Sequence, residues 1–196
     1  MGFKEQLRNI VVLDSADKLK QPINSFVGYE YIVANNGVFI RAENQFFKVC
    51  FQISDCNIRN LFECEEYFVM KKGKIPFETS KTVVELIEND TEKGKERFLQ
   101  VLYENGEYSV FSPEQKGGAT SVSYKSGMNN VILEVHTHPE MSAFFSDIDD
   151  RDEKGFRLYG VFSVIDGKIA DFVVRLSVYG YYKNLHYLDI AGEIDE

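Results

Sequence analysis

From Val131 the chain reads VILEVHTHPEMSAFFSDIDD, and this run restricts the fold more than any other. Val131 to His138 is an apolar strand whose side chains alternate, so His136 and His138 project from one face while Val135 and Thr137 project from the other. Pro139 stops the strand, because its ring nitrogen has no hydrogen to give a ladder. Ser146 followed by acidic residues is the expected start of a helix, with Asp149 in its first turn. A strand, a crossing loop and a helix start in this order bring two imidazoles and a carboxylate toward one point. The chain has three histidines, and two of them are here.

Zinc favours imidazole nitrogen and carboxylate oxygen at about 2.0–2.2 Å, and a catalytic site supplies three such ligands with one position left for water. Taken singly, each residue has a plainer role. Ser146 is a simple N-cap, Asp149 to Glu153 a solvated acidic face that suits the helix dipole, and a His-x-His pair two surface residues. Taken together at these offsets, His136, His138, Pro139, Ser146 and Asp149 point to a metal.

Composition narrows the remaining classes. The chain has 196 residues, 44% of them hydrophobic, with 16 Phe and 11 Tyr, which is enough material for a folded core. With 31 acidic against 22 basic residues the net charge is -9, which disfavours nucleic acid and anionic membrane as partners. Cys50, Cys56 and Cys64 are odd in number and form no CxxC pair, so buried free thiols in a reducing, cytoplasmic compartment are expected. No apolar run reaches the roughly 20 residues of a membrane span. The N-terminus lacks a signal-peptide cleavage site, and Gln6 stands where a myristoylation signal would have Ser or Thr.

Two regions are expected. Tyr29 to Ile53 holds short β-rich runs broken at Asn35-Asn36-Gly37 and at Ala42-Glu43-Asn44, and reads as an N-terminal β-rich lobe over 1–75. Pro76 to Asn89 switches to helical spacing, with Val83, Leu86 and Ile87 on one stripe, and opens a second domain over 76–196. After a charged turn over Asp90 to Lys95, strand-like segments at Arg97–Tyr103, Glu107–Ser112 and Thr120–Tyr124 suggest a meander. Asp171 to Tyr182 alternates as one late strand, its aromatics in the core. The fold class is therefore mixed α/β, of the α+β kind.

His136-x-His138-Pro139, six residues, then Ser146-x-x-Asp149 resembles the H-x-H-P-x6-S-x-x-D signature of the JAB/MPN (JAMM) zinc metalloproteases. The longer run Ala143 to Asp166 further resembles the bacterial JAB proteins of PRTRC cassettes, which accompany ubiquitin-like and ThiF-like activating proteins, and YEYIVANNGVFIRAE is similar to their N-terminal region. The resemblance implies a curved mixed β-sheet flanked by helices, and zinc held by His136, His138 and Asp149. It implies hydrolysis of peptide or isopeptide bonds after a ubiquitin-like protein, with an upstream Glu as general base. In the family that Glu opens a strand after the first helix, in a pattern like E-x-x-G-L-L-L-G. Glu96 occupies that place, with Phe98-Leu99 where the family often has Gly and Tyr103 for the closing Gly.

Rival carboxylates are placed differently. Glu92 lies in the charged turn, Glu85 and Glu88 in the helix. Glu134 shares the face of the histidines and suits a group that hydrogen-bonds a ligand imidazole and fixes its tautomer. Ser146 is the candidate oxyanion donor, a role typically worth about 2.7–4 kcal/mol. His186 is remote from the motif and is excluded as a ligand, and the adjacent Phe144 and Phe145 overlie the expected site. Two other readings of the same chain are a non-catalytic JAB/MPN scaffold and a peptidase that trims a sulfur-carrier protein.

Overall fold

The computed structural model describes residues 9–23, 28–89, 94–113, 116–117, 122–123 and 130–192. Met1, Gly2, Gln6 and Glu92 lie outside them, as do parts of the Asp90–Lys95 turn and the Thr120–Tyr124 segment. The chain divides into two compact units, Met1–Gly73 and Lys74–Glu196.

The first unit is built on a five-stranded sheet in sequence order, β1 (Ile10–Val12), β2 (Tyr29–Ala34), β3 (Gly37–Glu43), β4 (Phe47–Ser54) and β5 (Tyr67–Met70). β1 and β2 are parallel, and the other pairs antiparallel. Asn35-Asn36 forms the two-residue connection between Ala34 and Gly37, which pair across the turn. Gly37 has φ 150°, and a Cβ there would meet Gln52 Nε2 at 2.5 Å, so the turn requires glycine. Leu13, Ile32, Phe39 and Cys50 pack the core of this unit. Cys50 and Cys64 are buried free thiols with their sulfurs 3.6 Å apart, and Cys56 is half-buried.

The second unit carries the motif. Its main sheet is six-stranded, in the order β13 (Tyr181–Leu185), β12 (Lys168–Val178), β11 (Arg157–Ile165), β10 (Val131–Pro139), β6 (Phe98–Glu104) and β7 (Glu107–Phe111). β10 and β11 run parallel and the other pairs antiparallel, which makes the sheet mixed. The fold is α+β, as the sequence pattern implies.

One face of this sheet is apolar. Leu99, Val101, Leu133, Val135 and Val174 point that way, and α1 (Phe77–Glu88) covers them with Val83 and Ile87, each burial contributing roughly 1.5–3 kcal/mol. Leu86, expected on the same stripe, is only half-buried. The other face is polar although buried: Gln100, Glu134, His138, Ser163, Arg175 and Ser177 all lie on it. Glu134 pairs with Tyr159, and Tyr159 with Arg175, so register alone puts these side chains on the face of His136.

Two expected elements differ. Asp171–Tyr182 is not one strand but the end of β12 and the start of β13, because Tyr179 (φ 52°) and Gly180 (φ 95°) take the two positive-φ positions of a tight hairpin turn. The third strand of the expected meander does not join β7. Within the described residues, β9 (Val122–Ser123) pairs with β8 (Lys116–Gly117) in a separate two-stranded ladder.

Candidate metal centre

β10 presents His136 and His138 side by side, with Nε2 of one 3.2 Å from Nε2 of the other. Nδ1 of His138 lies 3.3 Å from the carbonyl oxygen of Ser142. A carbonyl only accepts, so that nitrogen carries the hydrogen and Nε2 keeps its lone pair for a cation. Burial lowers the His136 pKa to about 4, with Asp149 opposing the shift and His138 and Arg175 adding to it, so this ring is neutral at ordinary pH.

The carboxylate comes from α2 (Asp147–Asp152), six residues long and opened by a capping box. The Ser146 backbone N–H and hydroxyl both donate to Oδ2 of Asp149, at 2.6 and 2.7 Å. The other oxygen, Oδ1, stands 3.5 Å from Nε2 of His136. One oxygen is thus held by the cap and the other is turned to the histidines.

Donor atoms of His136, His138 and Asp149 all lie within 4.8 Å of one another. Neighbouring ligands at zinc distances on a tetrahedron sit roughly 3.3 Å apart. The separations of 3.2 and 3.5 Å match that edge. Two lone pairs and a carboxylate oxygen facing one another repel unless a cation or protons lie between them, so the donor set fits a divalent metal of borderline softness.

Glu96 lies just before β6. His136 is opposite Phe98, the Thr137 N–H donates to the Arg97 carbonyl at 2.9 Å, and the Arg97 N–H donates to Thr137 Oγ1 at 2.8 Å. The same register continued by one residue sets Glu96 beside His138, on the face of the two histidines. Burial, and then the negative charge of Asp149, push the Glu96 carboxyl up to about 7.

Residues 70–175 match the family described as prokaryotic homologs of the JAB domain. The chain belongs to that family. Among curated proteins nothing matches it. A solution structure of a protein from Salinibacter ruber is similar with a TM-score of 0.37 and 13% identity, covering 62% of this chain and 93% of that one.

In this JAB domain Glu134 does not bond His136 or His138. Its Oε1 accepts from Arg157 Nη1 at 2.6 Å and from Gln100 Nε2 at 3.0 Å. The group that orients His138 is a main-chain carbonyl of the crossing loop, and Ser163 steadies that loop by donating to the Met141 carbonyl at 2.6 Å. Glu85 and Glu88 stay on α1, where Glu88 accepts from the Ile169 N–H. His186 is exposed and caps α3 (Tyr187–Ile190), its Nδ1 accepting from the Leu188 N–H. The two phenylalanines part: Phe144 is exposed with its ring 4.8 Å from that of His138, and Phe145 lies under the Arg175 guanidinium.

The acidic stretch after Asp149 is not a solvated face throughout. Asp150 and Glu153 both hold Arg175, and Glu153 is buried. Burial pushes the Glu153 carboxyl up to about 8 against the lowering pull of Arg175. Arg175 is the residue that sequence reasoning missed. One cation amid the apolar run DFVVRLSV was the available signal, since a buried guanidinium demands carboxylate partners.

No helix among the described residues is long and apolar enough to cross a membrane.

Proposed function

We propose that this JAB-domain protein is a zinc-dependent hydrolase that cleaves a peptide or isopeptide bond after a ubiquitin-like protein. The observation that carries the reading is the division of the Asp149 carboxylate, with Oδ2 tied to Ser146 and Oδ1 facing His136. Zinc held by His136, His138 and Asp149 would supply Lewis acidity and a water acidified toward neutral pH. Glu96, with a carboxyl raised to about 7, is matched to take a proton from the attacking water and give it to the leaving amine. Ser146 can swing its hydroxyl to a developing oxyanion while its backbone N–H keeps Asp149 in place.

The substrate class and the association with a ThiF-like activating protein rest on the resemblance of the motif and of the run after it to bacterial JAB proteins. A cytoplasmic setting accords with the three unpaired thiols.

The test pairs metal analysis with cleavage of a ubiquitin-like fusion. Purified protein should hold about one zinc per chain, His136→Ala should hold none, and Glu96→Gln should keep the zinc and lose cleavage. Zinc-loaded wild-type protein that binds a ubiquitin-like partner without cutting any fusion would leave a scaffold.

A further inference from the structure

We infer that Arg175 is a positioning residue for the metal site, clamping the short helix that delivers Asp149. The inference rests on the metal reading above.

A helix of six residues has too few internal hydrogen bonds to hold its own shape in water. Its location must come from what it is fastened to. Arg175, on the central part of β12, supplies most of the fastening. Nη1 donates to Oδ1 of Asp150 at 2.6 Å, and Nε and Nη2 donate to Oε2 of Glu153 at 3.0 and 2.8 Å. The planar guanidinium is stacked between Phe145 and Tyr182, each ring 3.9 Å from its central carbon. Phe145 immediately precedes the Ser146 cap, Asp150 immediately follows the ligand, and Glu153 ends the helix. One side chain thus grips both ends of the segment and its middle.

Two hydroxyls reinforce the grip without replacing it. Tyr182 donates to the Asp150 carbonyl at 2.8 Å, and Ser177 donates to the Glu153 carbonyl at 2.9 Å. Arg175 itself is 5% exposed, so its partners do not compete with water for it. It touches none of the three metal donors in this network. Its hydrogen bonds act on Asp149 through the backbone of α2, while its charge is also felt at His136 through space, an effect that Arg175→Lys retains.

The experiment compares wild type, Arg175→Ala, Arg175→Lys and Asp150→Asn. Zinc affinity is read by chelator competition, cobalt(II) coordination by visible absorption, and the seating of α2 in metal-free protein by hydrogen exchange of the amides of residues 147–153. Arg175→Ala should weaken zinc about 10- to 100-fold, change the cobalt spectrum and speed exchange of those amides. Lysine keeps the charge but has neither the fork nor the stacking plane, so it should recover only part. Asp150→Asn, at a half-exposed carboxylate, should give a smaller loss in the same direction. An alanine variant with unchanged affinity, cobalt spectrum and exchange overturns the clamp. Should that variant fail to fold, Asp150→Asn decides, and unchanged readings there overturn it as well. Should wild type bind no zinc, the metal reading falls, and α2 exchange alone then supports the clamp if faster in the variants or overturns it if unchanged.

Discussion

Ser146 and Asp149 bind each other in both directions: the serine hydroxyl donates to the aspartate Oδ2 at 2.7 Å, and the aspartate backbone N–H points back to that hydroxyl at 3.3 Å. The contact that starts α2 is therefore also the contact that aims the proposed metal donor. Ser146→Ala removes the hydroxyl and leaves the 2.6 Å backbone hydrogen bond. The expected result is a loss of about 1 kcal/mol from the cap, and a zinc affinity lower by roughly tenfold. Chelator competition and urea unfolding, with Ser146→Thr as the restoring variant, measure the two effects separately.

Why this much was legible in the sequence, and no more, follows from the range of the interactions. Alternation on β10 and the cap at Ser146 are local, so the shared face of His136 and His138 and the start of α2 could be read from neighbouring residues. The tie between Arg175 and Glu153 spans 22 positions, and nothing in either segment names the other. The same holds for the Ser142 carbonyl that orients His138, because a main-chain acceptor leaves no trace in residue type. The hairpin at Tyr179-Gly180 was hidden for another reason, since aromatic residues surround the turn and Tyr179 is not a usual turn residue.

His136 contributes a loss of stability in acid to the metal-free protein. Its ring has a folded pKa of about 4 against 6.5 in the unfolded chain, so between these values the unfolded state binds more protons. Stability then falls as pH falls, by about 2 kcal/mol between pH 7 and pH 5 from this group. The raised carboxyls of Glu96 and Glu153 act in the opposite sense in both proteins. Urea unfolding in chelator at both pH values should therefore show this contribution as the difference in slope between wild type and His136→Asn. Equal slopes for the two proteins would remove His136 as the source.

Gly160 on β11 has no room for a methyl group. A Cβ there would lie 2.6 Å from Cε2 of Phe172, which stacks on Phe162 at 4.2 Å, and 3.1 Å from Val135. Gly160→Ala should cost about 1–3 kcal/mol by overpacking. Thermal unfolding would show it, and an unchanged midpoint would mean that the phenylalanine stack shifts freely.

In the N-terminal unit, Arg41 and Glu30 form an ion pair with both side chains 4% exposed, and Arg41 also donates to the carbonyls of Leu19 and Gln21. Removing one member leaves the other charged, buried and unmatched. Glu30→Ala should therefore destabilise this unit by about 3–5 kcal/mol, while a double Glu30→Leu, Arg41→Met replacement should cost much less. Denaturant unfolding of the three proteins decides between an essential charge pair and a replaceable one.

Thr137 is the remaining link between the proposed base and the proposed metal site. It lies between the two histidines with its side chain on the opposite face, and its Oγ1 takes the Arg97 N–H at 2.8 Å. Together with the return bond from the Thr137 N–H to the Arg97 carbonyl at 2.9 Å, this fastens the start of β6 to β10 one residue after Glu96. Thr137→Val keeps the shape and removes the acceptor, leaving a backbone N–H without that partner at a cost of about 1–3 kcal/mol. Neither histidine changes face, so zinc content should stay at the wild-type level. Glu96 loses its anchor, and displacement of a base by about 1 Å can reduce turnover up to 100-fold. The expected signature is a lower kcat at full zinc occupancy, with Thr137→Ser restoring most of it. Loss of zinc in the valine variant would instead assign Thr137 to the spacing of the histidines.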